Sequence, residues 1–481
     1  MKRLAVIIGL ALVGLMLVSL ARTWSVRPQQ PSVIDGSGTR FDPAKVATHL
    51  AGTLRFATVS AKTAERLPFE ELRQYLRQNY PQIHSHSSEY TVGQASILEW
   101  QGSTPTLNPV LFYFHSDVVP ASDGDWSHPP FSGTIDKDYV WGRGALDDKG
   151  GLIAFLEAAE RLAGEGYQPR RSIFLVVGED EELGGRQGAA RVAAQLRQRR
   201  VHLAALFDEG GFITEGLIDG VEKPVALVGI AEKGYLTLQL RVETAGGHSS
   251  LPPLETAPGI LSAAILKVQN CQLAGGFHGP AESMLRTLAP HMSFPVRLGV
   301  ANAWLTLPFL ERGIRSVATT RALFFTTAAP TVLRAGERDN VLAANAEALV
   351  NLRLIPGDNP QGASRRIEEC IADRRVKVSN HSGNTTIGPS PISPMDSLAY
   401  RTLAGTIAAN YPDTLISPWV TVGATDSRHF ADLTDAILRF LPLRLSKPDL
   451  ARIHGHNERV AVTDLADAAT FYYRLIQNLN L

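Results

Sequence analysis

Three kinds of apolar run organise this chain. Leu4–Leu20 is unbroken apart from Gly and Ser and follows the basic start Met1-Lys2-Arg3. A second kind is short and almost wholly apolar: Val110–Phe114, Arg171–Val177 and Leu203–Phe207 read as strands covered on both faces, and Ser96–Trp100 as a further strand. The third kind has a helical period. Over Gly150–Leu162, the residues Leu152, Phe155, Leu156, Ala159 and Leu162 fall at three- and four-residue steps. Gly188–Gln198 reads as another helix, and Pro43–Gln78 as helical with an amphipathic part near Phe69–Leu76. Strand and helix alternate through this region, which argues for an α/β sheet with helices on both faces.

The pattern changes near Lys233. Tyr235–Val242 alternates apolar and polar residues as a half-exposed strand does, and Glu347–Leu354 and Arg375–Val378 are also strand-like. Helices are expected at Ala257–Val268 and Pro360–Ile371, so this part reads as a small α+β domain. Between its halves lies a long apolar stretch, Gly275–Thr327, with Met284, Phe294, Trp304, Phe309 and Phe324. From about Ser393 the α/β character returns and ends in a helix, Asp464–Leu479. The expected organisation is residues 1–24 as an export signal or membrane anchor, 25–45 as a linker, 46–232 as the first part of a main domain, 233–390 as an inserted domain, and 391–481 as the second part.

A basic start followed by an apolar core is an export signal. Ser19 and Ala21 satisfy a small-x-small cleavage site, yet the run approaches the roughly 20 residues that span a bilayer. The segment is therefore a cleaved signal or a single N-terminal anchor, and the protein is expected to be exported across a membrane. Of 481 residues, 44% are hydrophobic and 20% charged, enough to bury a core. Lys plus Arg and Asp plus Glu number 47 each. This balance offers no clustered basic face for nucleic acid, and the densest basic run, Arg197–Arg200, reads as the solvated end of a helix. Cys271 and Cys370 read as two separate thiols. Without a CxxC or Cys-His cluster, any metal must be held by His and carboxylates.

Five features carry candidate chemistry. His115-Ser116-Asp117 ends the strand Val110–Phe114. Residues two apart on a strand point the same way, so the Asp117 carboxylate can orient the His115 imidazole. Asp147-Asp148 stands just before the helix Gly150–Leu162, where Asp148 could equally be a helix cap. Glu179-Asp180-Glu181-Glu182 follows the strand Arg171–Val177. Four consecutive acids suit either a solvated loop or a cation in a crevice at the strand's carboxyl end, where open α/β sheets place their sites. Asp208-Glu209 follows the next buried strand, and His454-Gly455-His456-Asn457-Glu458 comes near the end of the chain. Oxygen and imidazole ligands without thiolate suit catalytic zinc, and this many of them suits two ions.

The series of motifs resembles the M20 metallopeptidases and aminoacylases, especially the subgroup of carboxypeptidase S and the secreted N-fatty-acyl-amino-acid hydrolases. The match runs in order and spacing over roughly residues 50–480. It implies an α/β zinc-exopeptidase-like catalytic domain interrupted by an α+β lid or dimerisation domain, with two Zn2+ per chain, or Co2+ in their place. Residue by residue, the resemblance makes His115 a ligand of one zinc, oriented by Asp117. Asp147 bridges both ions, Glu181 is the general base, and Glu182 and His454 bind the second zinc. The remaining ligand falls on Asp208 or Glu209, with Asp208 preferred. His248, in Gly246-Gly247-His248-Ser249-Ser250, matches the donor that stabilises the tetrahedral oxyanion, often across a dimer; its bland alternative is a turn His at a strand end. Asn340, Arg353 and Arg428 are candidates for holding the substrate carboxylate, although each could be structural.

The function expected from these residues is hydrolysis of an amide bond next to a free carboxylate. The substrates would be N-acyl amino acids or short peptides, and the family resemblance implies a homodimer. The apolar stretch leans toward a lipophilic acyl group. A competing reading is a catalytically inactive zinc-binding ligand sensor at the membrane. The full ligand set beside an intact Asp117 and Glu181 speaks against it.

Overall fold

The computed structural model describes residues 2–28, 31–34, 39–60, 67–121 and 124–479. Its largest element is a ten-stranded mixed sheet. At its centre Val110–His115 lies parallel to both Ile173–Gly178 and Ala205–Asp208, in a register that sets His115 beside Gly178. The first two strands have every residue buried, as their uninterrupted apolar composition requires. Helices cover both faces. On one, Lys149–Gly164 packs on Val462–Asn478 around Phe112, Phe155 and Tyr472; on the other, Ala189–Gln198 lies over Leu111, Tyr113 and Val176.

The expected helix Pro43–Gln78 is two helices, Pro43–Leu54 and Phe69–Asn79. Pro68 disfavours helical geometry at the residue before it, so a new helix starts at Phe69. Between the two, Thr58 and Ser60 bond the backbone of Val118, which carries the Ser60 hydroxyl to Asp117.

At Lys233 the chain passes from the long buried strand Val225–Glu232 into Gly234–Glu243 of a separate four-stranded sheet. Leu236, Leu238, Leu240 and Val242 all point to one face and pair with Ala346, Ala348, Val350 and Leu352 in a second core. The helices Ala257–Gln269 and Pro360–Ile371 cover that face. Cys271 and Cys370 are not separate thiols, as expected above, but a disulfide. The two helices pack side by side, and this brings together cysteines that stand 99 residues apart. The spacing of two isolated cysteines carries no trace of that proximity.

The apolar stretch Gly275–Thr327 folds into helices, chiefly Gly279–Leu288, Phe294–Ala301, Ala303–Ser316 and Ala318–Phe324. They do not join the four-stranded sheet. Met284, Leu288 and Phe324 cluster instead with Val225, Leu415 and Val420, against the strand Leu415–Thr421 that pairs in parallel with Val225–Glu232 of the large sheet.

Candidate metal centre

The carboxyl ends of the three central parallel strands converge on one place, and the side chains there follow from the loops that leave each strand. His115, the last residue of its strand, is 1% exposed. Its Nδ1 lies 2.9 Å from the backbone oxygen of Asp117 and 3.5 Å from that residue's Oδ1. Oxygen acceptors on this side hold the ring proton on Nδ1 and turn Nε2 toward the cluster. The Asp117 carboxylate has a second task. Its two oxygens accept from the backbone N–H of Glu181 (3.1 Å) and of Glu182 (3.2 Å), and from the Ser60 hydroxyl. It thereby fixes the short 3-10 turn Glu181–Leu183 that follows the neighbouring strand. Gly184 closes that turn with φ 96°, a conformation that L side chains rarely adopt.

Asp147 lies between the two histidines. Its Oδ1 is 2.8 Å from His115 Nε2 and its Oδ2 is 3.1 Å from His454 Nε2. Glu182 Oε1 is 3.2 Å from the same His454 nitrogen, and Glu209 Oε1 is 3.4 Å from His115 Nε2. Three sets of ligand atoms therefore each lie within 4.8 Å of one another: His115, Asp147 and Glu209; Asp147, Glu182 and His454; and His115, Glu181 and Glu182. Asp147 is shared by the first two.

Glu209 and Asp208 are sharply divided, and against the preference stated above. Asp208 turns away from the cluster: its Oδ2 accepts from Thr425 Oγ1 (2.7 Å) and from the backbone N–H of Ser427 (2.9 Å). Those bonds fasten the strand Ala205–Asp208 to the loop before Phe430. Glu209 is the acid that reaches His115.

The electrostatics show strain without a cation. Burial and the Asp147 charge push the Glu209 carboxyl up to about 8. Burial, helped by Glu209, raises Glu181 and Asp148 well above the carboxylate range. Hydrogen bonds to Asp147 and Glu182 lift His454 to about 10. Burial opposes the charged forms of Asp147 and His115, but their mutual bonding and, for His115, the Glu209 charge prevail, holding Asp147 low and His115 high. Asp148 occupies the N-cap position of Lys149–Gly164 yet makes no cap bond, and among the described residues neither of its buried oxygens has a hydrogen-bond partner. Carboxylates packed this closely, some of them unpartnered, fit divalent cations, which reverse such repulsion.

The Asp147 loop is held by a residue outside the candidates named above. Glu458, 1% exposed, accepts from the backbone N–H of Leu146 (2.8 Å), Gly144 (3.0 Å) and Asp147 (3.3 Å), and from the Arg143 guanidinium (2.6 Å). Its place beside the His454-Gly455-His456 run was its only visible signal. Ser60 and Thr425 carried none.

The remaining candidates stand apart from the cluster. His248 is exposed on a two-residue ladder, Gly247–His248 against Val341–Leu342. Its Nδ1 accepts from the Ser250 N–H at 3.1 Å. Asn340 is also exposed and sits beside it, its carbonyl accepting from Ser249 N–H at 3.2 Å. Arg353 lies under Tyr235, 4.9 Å from the ring centre, with Nε donating to Asn351 at 3.3 Å. Of these four, Arg428 comes nearest the acidic turn, donating to the Gly184 carbonyl at 2.9 Å.

A buried mixed sheet with His and carboxylates gathered at its strand ends defines a zinc-exopeptidase-like hydrolase fold. The family described as Peptidase family M20/M25/M40 matches residues 111–478, and the chain belongs to it. It is a metallohydrolase acting on amide or peptide bonds. The chain is 39% identical over 436 residues to the N-fatty-acyl-amino acid synthase/hydrolase PM20D1 of Xenopus tropicalis, covering 89% of this chain and 85% of that one. It is 31% identical to carboxypeptidase S of Saccharomyces cerevisiae, over 86% and 79% of the two chains. Among solved structures, the M20 metallo-carboxypeptidase Sso-CP2 of Sulfolobus solfataricus aligns with a TM-score of 0.67 at 17% identity, covering 92% of this chain and all of that one. Human carnosine dipeptidase 1 gives 0.59 at 15%, over 91% and 96%.

Proposed function

We propose that this protein hydrolyses N-acyl amino acids through a two-zinc centre, releasing the free amino acid. The observation that carries the reading is Asp147, whose two oxygens face His115 and His454 separately. His115, Asp147 and Glu209 would hold one ion; Asp147, Glu182 and His454 would hold the other. Bound zinc would lower the pKa of water toward roughly 7 and polarise the scissile carbonyl. Glu181, beside His115 and Glu182, takes the proton of the attacking water and returns it to the leaving nitrogen. His248 donates to the tetrahedral oxyanion, supplied across a homodimer, and Asn340, Arg353 and Arg428 bind the substrate carboxylate. The named activity of the PM20D1 relatives supports a fatty-acyl substrate over a peptide. The disulfide supports export to an oxidising compartment, and the apolar first helix has the length of a membrane tether.

The test offers the full chain in detergent a panel of N-acyl amino acids and dipeptides, with zinc, and measures the released amines. Release of amino acid from fatty-acyl substrates, lost on chelation and restored by zinc, is expected. A chain that binds two zinc ions and cleaves nothing on the panel would instead support the ligand-sensor reading.

A further inference from the structure

The end of the first helix, Lys2–Ser25, is seated on the apolar helical segment. Thr23 is fully buried; its hydroxyl donates to the Ser19 carbonyl (2.7 Å) and accepts from the Asn302 amide (3.2 Å). Asn302, 1% exposed, also donates to the Ser19 carbonyl at 3.1 Å. Arg297 donates to the carbonyls of Thr23 (3.0 Å) and Val26 (3.2 Å), and Arg22 reaches Ala301 O at 3.4 Å. Carbonyls left open at a helix end need such partners. The rest of this helix is bare: its most apolar window has mean hydropathy 2.8 and no buried residue. At 1.5 Å per residue it is long enough to cross a hydrocarbon core of about 30 Å.

A bilayer crossed by this helix has its surface near Thr23, where Phe294–Ala301 and Ala303–Ser316 also lie. These helices expose Phe294, Leu305, Leu307, Trp304 (58%) and Phe309 (80%). Beside them runs a groove of about 560 Å³ with almost wholly apolar walls, including Met292, Val296, Phe309, Ile314 and Val317. A neighbouring notch at the helix end carries Arg27 and Arg286, and Arg297 stands 5.8 Å from the exposed Trp24 ring. Aromatic and aliphatic side chains edged by arginine match the boundary between lipid headgroups and acyl chains.

We propose that Phe294–Ala301 and Ala303–Ser316 form a bilayer-docking face beside the spanning helix, with lipid acyl chains filling the groove. The segment packs on Leu415 and Val420 of the main sheet, so docking holds the catalytic domain against the membrane in one orientation. The inference rests on the reading that the first helix is retained.

The chain has two cysteines, both in the disulfide, so Phe309→Cys or Trp304→Cys creates a sole free thiol at an exposed position. Each full-length variant is labelled with an environment-sensitive fluorophore and reconstituted into phosphatidylcholine vesicles containing nitroxide-labelled lipid. Labels at 309 and 304 are expected to lose most of their emission, while a label at Gln74→Cys, exposed on the helix Phe69–Asn79, keeps its own. An unchanged thermal unfolding midpoint checks that each variant is folded. Intact mass separates the two ways of failing. If Leu4–Leu20 is missing, the tether reading falls and the docking face with it. If the segment is present and the 309 label is quenched no more than the control, the docking face alone is wrong. Self-quenching at 309 in detergent, without quenching by lipid, assigns the face to a second copy and also overturns the proposal.

Discussion

The two groups of candidate site residues are built on opposite principles. His115, Asp147, Glu181 and Glu182 stand at strand ends or on turns pinned from beneath by Asp117 and Glu458. His248 stands exposed on a two-residue ladder away from the large sheet, with Asn340 exposed beside it. Side chains that hold like charges together need a scaffold that cannot relax. A donor needed only when charge develops on the substrate can sit on an element that meets the cluster when substrate binds, or that comes from another copy.

The largest effect is expected in the pinned group. Glu181→Gln keeps the shape and the Asp117 bond to the backbone, but removes the proton acceptor. Its kcat should fall by about 10²–10⁴, with bound zinc unchanged when measured by atomic absorption. A fall no greater than that of a surface variant would remove Glu181 from the mechanism. On the exposed side, His248→Ala should lower kcat by about 10²–10³ with metal content unaffected. If His248 acts across a dimer, mixing it with Glu181→Gln restores part of the activity, because mixed dimers contain one intact pairing. Restoration absent from a confirmed mixed dimer would place both residues in one chain's site.

The four-stranded sheet and its two helices add a stability test. Cys370→Ser opens a link between positions 99 residues apart. That should destabilise the protein by about 2–5 kcal/mol, read as a lower denaturation midpoint. The loss should fall on the four-stranded sheet and the ladder carrying His248, so zinc binding survives at temperatures where hydrolysis is lost. Simultaneous loss of both would show that the two regions unfold as one.

What the sequence made legible divides along similar lines. The buried strands, the amphipathic helices and the motifs at strand ends each depend on local period, so they were readable. Pro360–Ile371 appears with the predicted ends. Contacts between distant segments were not readable: the disulfide, the seat of the helical insertion on Leu415–Thr421, and the hold of Glu458 on the Asp147 loop. None has a local period. The Gly275–Thr327 stretch was visible only as apolar, since its exposed Trp304 and Phe309 break the pattern that separates core from surface in a soluble helix.

The choice between Asp208 and Glu209 is hidden from the sequence for a related reason, and it offers the finest test. Adjacent residues leaving a strand diverge, and sequence does not say which of the two turns inward. Here the loop carrying Thr425 and Ser427 decides it by taking the Asp208 carboxylate. Glu209→Gln should therefore reduce bound zinc toward one ion per chain, with little effect on stability. Asp208→Ala should leave metal stoichiometry intact but take the acceptor from the buried Ser427 N–H, costing about 1–3 kcal/mol, while the Thr425 hydroxyl keeps the Ser427 hydroxyl as a partner. The reverse result, with zinc lost from Asp208→Ala and kept by Glu209→Gln, would show that the neighbouring acid turns inward once metal binds.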